Sequence, residues 1–99
     1  LGLDANTTLD VIEQSSGQSW IGSERMRRAL AGQTQPPGAH MSLLAKDARL
    51  ALQAGHAAGS RHPLGEVASA LFDQALAAGM GDLDDAHMLD FLRRQTKTP

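Results

Sequence analysis

Apolar residues recur along this chain at intervals of three and four, and nowhere alternate with period two over a useful length, so the pattern predicts helices and no strands. Over residues 4–15, Ala5, Leu9 and Ile12 share a helical spacing. Asp4 stands before them as an N-cap whose carboxylate can accept a first-turn N–H. Ser15-Ser16-Gly17 breaks that run, and a second helix is predicted over 19–31, with Gly32 placed to end it in a left-handed cap. Glu24, Arg25, Arg27 and Arg28 are assigned to its solvated face.

Residues 33–40 hold Pro36, Pro37 and Gly38, where fixed φ and missing donors forbid regular structure. This is the one real loop, of a kind that can reach a ligand. The longest periodic run follows over 41–58, where Leu43, Leu44, Leu50, Ala51 and Ala54 form a broad apolar stripe that Gly59 closes. His62-Pro63 restarts the chain, since proline suits a first helical turn. Leu64, Val67, Ala68, Leu71, Ala75 and Ala78 then repeat at three and four until Gly79. After the turn and cap residues 81–84 a fifth helix is expected, with Met88, Leu89 and Leu92 inward and Arg93, Arg94 and Lys97 facing the negative end of its dipole. The small residues Ala45, Ala48, Ala51, Ala54, Gly55, Ala68, Ala70 and Ala75 let helix axes approach closely, within the chain or against another subunit. The fold class is therefore all-α, a five-helix bundle occupying residues 1–99 as one domain.

Composition narrows the partners. Ninety-nine residues with 41% hydrophobic content support one modest core, and a chain of this size hides roughly 60–65% of its unfolded surface. A net charge of -2 and only three aromatic residues argue against nucleic acid, for want of both attraction to phosphate and surfaces for base stacking. The absence of cysteine rules out disulfides and thiolate chemistry, and fits a reducing cytoplasm. No apolar run approaches the roughly 18 residues of a membrane span, so a membrane partner is not expected either.

Lys46 and Asp47 are the pair with chemical interest. At about 100° per residue, Lys46 shares a polar side with Arg49, Gln53 and His56, while Asp47 falls among Leu43, Leu50 and Ala54. An ionised carboxylate inside an apolar stripe is costly unless paired, so Asp47 is expected to meet a helix N-terminus, an arginine or a hydroxyl. Lys46 could then offer its ammonium to an anionic ligand. Spacing alone favours a solvated lysine and a capping aspartate over a ligand site. His40, His56, His62 and His87 lack the spacing of a metal site and read as scattered surface or capping residues. Arg25, Arg27 and Arg28 could take a phosphate, yet Glu24 beside them points to a solvated face. Trp20 next to the Gly17 turn reads as a core or interface anchor.

The order of short words along the chain adds what spacing does not. Residues 38–51 read Gly-Ala-His-Met-Ser-Leu-Leu-Ala-Lys-Asp-Ala-Arg-Leu-Ala, which resembles the Leu-Met-x-Lys-Asp-Leu-x-Leu-Ala segment of the 3-hydroxyisobutyrate dehydrogenase and tartronate semialdehyde reductase family. Gly2-Leu3-Asp4, Ser15-Ser16-Gly17-Gln18-Ser19-Trp20, His62-Pro63-Leu64 and Ala78-Gly79-Met80-Gly81-Asp82-Leu83-Asp84 resemble further words of those proteins, in the same order. The resemblance implies the C-terminal helical domain of a β-hydroxyacid dehydrogenase, similar to that of 6-phosphogluconate dehydrogenase-like proteins. It implies NAD or NADP as cofactor, with Lys46 contacting it and Asp47 on the substrate side orienting its helix. Implied partners are the protein's own N-terminal nucleotide-binding domain, a small hydroxyacid and further copies in a homo-oligomer. The family's frequent Phe before this helix is Ala39 here, and the Leu after Lys-Asp is Ala48, which bears on substrate preference.

Two words of the complete enzymes are absent: the Gly-x-Gly-x-x-Gly turn that holds a pyrophosphate, and the Gly-x-x-Gly-x-Gly-x-x-x-Lys word that supplies the acid/base lysine. The opening Leu1-Gly2-Leu3-Asp4 reads as the end of a turn, so the chain is expected to be an excised and inactive part of the enzyme. The other reading is a stand-alone helical interaction module that shares these turn words.

Overall fold

Asp4 opens the first helix as its position predicts: its carboxylate accepts the Thr7 N–H at 2.8 Å and the Thr7 hydroxyl at 2.8 Å. A computed structural model of the chain describes residues 2–96. Among these residues the elements are α1 (Ala5–Glu13), α2 (Trp20–Leu30), α3 (Met41–Ala57), α4 (Pro63–Ala77), a 3₁₀ turn (Asp85–His87) and α5 (Met88–Gln95). Ser19 caps α2 through the Gly22 N–H at 2.9 Å, and Pro63 begins α4. Gly32, Gly59 and Gly79 follow α2, α3 and α4 with φ of 70°, 76° and 82°, a left-handed conformation that glycine adopts without a Cβ clash. Among the described residues the only regular elements are helices, with one isolated bridge between His40 and Asp84 and no strand; Lys97 lies outside them.

The helices pack as two pairs. α1 lies on α2, and α3 makes the most extensive contact with α4. The pairs meet mainly where α2 touches the 3₁₀ turn, while α5 closes against α4 and that turn. The main core gathers Met41, Ala75, Met80 and Phe91, flanked by Leu71, Phe72, Leu76, Leu83 and Met88. The radius of gyration is 14.8 Å, above the about 13 Å of a close-packed chain of 100 residues, so the pairs stand partly apart.

Three expectations about faces are corrected. In α3 the buried side is Met41 and Ala45, continued by half-buried Leu44, Ala48, Leu52 and Gly55, whereas Leu43, Leu50, Ala51 and Ala54 are exposed. This helix is apolar on two sides, and the periodicity marks a stripe without saying which one is covered. In α4 the expected stripe is inward only at Leu71 and Ala75; Leu64 is 87% exposed and Val67 is exposed as well. In α5, Phe91 is buried and Leu92 is 43% exposed. The 3₁₀ turn ahead of α5 winds each residue about 120° instead of about 100°, which rotates the helix register away from one that begins at Asp84.

Candidate functional site

Lys46 and Asp47 sit in the second turn of α3, and both are exposed. Lys46 lies with Arg49, Gln53 and His56 on an exposed polar side, as the helical spacing predicts. Asp47 does share a face with Leu43, Leu50 and Ala54, but that face is open to solvent, so its carboxylate stays hydrated and has no partner to seek. The expected helix terminus, arginine or hydroxyl is not beside it. Neither residue takes part in an ion pair among the described residues.

The buried carboxylate belongs instead to Asp84, which is 0% exposed. The Arg28 guanidinium grips it with two prongs, Nη1 to Oδ2 at 2.9 Å and Nη2 to Oδ1 at 3.2 Å. The Gly38 N–H donates to Oδ2 at 2.7 Å and the Ala86 N–H to Oδ1 at 2.8 Å. Each carboxylate oxygen thus accepts two hydrogen bonds and has no lone pair left for a ligand. Burial pushes the Asp84 carboxyl upward, but the Arg28 hydrogen bonds, the two backbone donors and the Arg28 charge outweigh it and hold the group well below the usual carboxylate range. Hydrogen bonding to Asp84, then to Glu24, raises Arg28 in turn. Asp84 stays ionised and structural; it is no proton donor.

The arginines of α2 are therefore not a solvated row. Arg28 Nε donates to Glu24 at 2.5 Å, and Arg28 Nη1 reaches the Gln33 carbonyl at 3.3 Å. Arg25 Nε lies 2.6 Å from Asp85 Oδ1, a close ion pair between two buried atoms. Arg27 turns the other way, to Asp10 at 2.6 Å and to Glu13. Sequence reasoning missed this network because Arg28 and Asp84 are 56 residues apart. The signal available was three arginines in four positions, to be matched with the adjoining acids Asp84 and Asp85.

The remaining candidates are dispersed. His56 Nε2 lies 3.3 Å from Glu66 and His87 Nδ1 lies 2.9 Å from Asp90, while no group of three metal-ligating side chains occurs among the described residues. Trp20 is 77% exposed and anchors no core within the chain. An apolar groove of about 350 Å³ runs along α1, lined by Gly2, Leu3, Leu9, Ile12 and Met26 among others. No helix among the described residues is long and apolar enough to cross a membrane.

Comparison with known proteins agrees with the words read along the chain. A family profile described as "NAD-binding of NADP-dependent 3-hydroxyisobutyrate dehydrogenase" matches residues 1–92. L-threonate dehydrogenase of Cupriavidus necator is 31% identical over 88 residues, a stretch covering 89% of this chain and 29% of that protein. The crystal structure of 3-hydroxyisobutyrate dehydrogenase from Salmonella typhimurium superposes with a TM-score of 0.83 at 27% identity, over 91% of this chain and 31% of that one. The chain thus spans about a third of the length of these relatives, and its helices match a helical part of the solved one. A profile match over residues 1–92, nearly all of the described fold, places the chain in the 3-hydroxyisobutyrate dehydrogenase family.

Proposed function

We propose that this chain is the C-terminal helical part of an NAD(P)-dependent oxidoreductase acting on a small β-hydroxyacid, closing one wall of the active-site cleft with α3. The observation that carries this reading is the outer face of α3, where an unpaired ammonium and an unpaired carboxylate, Lys46 and Asp47, stand beside exposed Leu43 and Leu50. An apolar face with two free charges suits the covering of a polar ligand better than contact with bulk water. Lys46 would donate a charge-assisted hydrogen bond to the nicotinamide cofactor, and Asp47 would accept from a substrate hydroxyl. When bound, that cofactor supplies the hydride acceptor. The acid/base group belongs to another part of the polypeptide, and the isolated chain is inactive.

The exposed Leu64 and Val67 of α4, beside Ala68 and Ala70, are assigned to contacts with a further subunit.

The test is steady-state kinetics on the complete polypeptide with 3-hydroxyisobutyrate and L-threonate, each with NAD and with NADP. Lys46→Ala is expected to lower kcat/KM by about tenfold or more, the loss of one charge-assisted contact. Unchanged kinetics would remove Lys46 from the site. Titration calorimetry on residues 1–99 alone is expected to show no NAD binding, and micromolar affinity would contradict the division of labour.

A further inference from the structure

α3 begins without a side-chain cap. Its first two N–H groups are satisfied from elsewhere: Met41 donates to the Leu83 carbonyl at 2.9 Å and Ser42 to the Gly81 carbonyl at 3.1 Å, while the Asp85 N–H donates back to the Ala39 carbonyl at 2.9 Å. Met41 is fully buried at this junction. The direction of α3 is therefore set by the turn of residues 81–85, and Lys46 follows about one and a half helical turns later.

That turn is in turn held by the buried carboxylate of Asp84. It fastens the Gly38 N–H in the loop before α3, the Ala86 N–H in the turn after it, and Arg28 on the other helix pair. Arg28 is itself fixed by Glu24 and by the Gln33 carbonyl at the start of the same loop. Here both ends of the loop, and the residues that replace the cap of α3, converge on one ion pair.

We propose that Arg28 and Asp84 are positioning residues for the Lys46 site, fixing through the loop of residues 38–40 and the uncapped start of α3 where the ammonium of Lys46 stands. The proposal rests on the assignment of Lys46 to the cofactor, and it deepens that assignment by naming what aims the residue. Neither Arg28 nor Asp84 touches a reacting atom. Both act through the helix they orient.

The experiment is a double-mutant cycle in the complete enzyme. Arg28→Lys and Asp84→Asn are each made alone and together with Lys46→Ala, with KM for the cofactor, kcat and Tm recorded for every variant. In the wild-type background each change is expected to raise the cofactor KM by about fivefold or more, with a much smaller change in kcat. In the Lys46→Ala background the same change is expected to leave the cofactor KM nearly where it was, because the aimed group is gone. Equal KM increases in both backgrounds, or a fall in Tm with no KM change, would overturn the proposal. Should Asp84→Asn not fold, Arg28→Lys decides alone, since it keeps the charge and loses only the two-pronged grip. A Lys46→Ala enzyme with unchanged KM would instead strike down the assignment of Lys46, and that result is visible before any positioning variant is compared.

Discussion

The imidazole of His62 rests against the backbone of Gly55, so closely that a methyl group at position 55 would overlap the ring. The three atoms nearest that methyl position all belong to His62, and His62 is exposed and free to swing outward. Alanine in a helix interior is favoured over glycine by about 1 kcal/mol. Gly55→Ala alone is therefore expected to shift Tm little, with propensity offsetting the lost ring packing. Added to His62→Ala, it is expected to stabilise by about 1 kcal/mol. Thermal melts of the three variants check this, and a double variant less stable than His62→Ala would mean that Gly55 serves another contact.

Arg28→Ala leaves a fully buried carboxylate with two backbone donors and no counter-charge. The expected loss of stability is about 3 kcal/mol, a large part of what a domain of this size holds. Arg27→Ala is expected to do far less, because Asp10 is exposed and Arg27 and Glu13 are only half-buried, so both pairs are screened by solvent. Urea titration of the two variants should rank them in that order. Equal effects would show that the network, not the buried pair, carries the stabilisation.

The same carboxylate gives the fold an acid limb. The folded pKa of Asp84 lies below its value in the unfolded chain, about 3.9, so the unfolded state binds the proton first as pH falls. The stabilisation is fully present above about pH 5 and is lost progressively below it. Asp84→Asn is expected to be less stable at neutral pH but to show a flatter decline from pH 5 to pH 3. Denaturant midpoints at several pH values measure the slope, and parallel curves for the two proteins would contradict the assignment.

α2 has no fully buried residue, so it leans on its cap and its ion pairs more than the other helices do. Ser19→Ala removes the Gly22 hydrogen bond and is expected to cost about 1 kcal/mol. Because the loss is local, amide exchange in the first turn of α2 should accelerate while α3 and α4 keep their protection. A uniform change across all helices would show that α2 unfolds only with the whole domain.

Local chemistry was legible in the residues. Asp4, Pro63, Gly32, Gly59 and Gly79 mark helix ends by properties of single side chains, and all five do so in the fold. Which face each helix buries was not legible where both sides are apolar, as at Leu43 and Leu52 of α3, since that depends on a neighbour brought in by the chain's later course. Arg28 and Asp84 could be read singly as a surface charge and a cap. Their pairing is a tertiary fact, and Asp84 does cap the 3₁₀ turn as well. Lys46 does not stand out in the spacing; the word that surrounds it singles it out, and its unpaired place on the outer face of α3 is visible only in the fold.

The long reach between Arg28 and Asp84 also orders events during synthesis. A ribosome releases α1 and α2 well before the acids at 84 and 85, and until those emerge the arginines meet only local partners, Glu24, Asp10, Glu13 and the Gln33 carbonyl. The contact that joins the first two helices to the rest of the fold therefore forms only once the turn of residues 84–87 is made, and removing Asp84 takes away the ion pair at that contact.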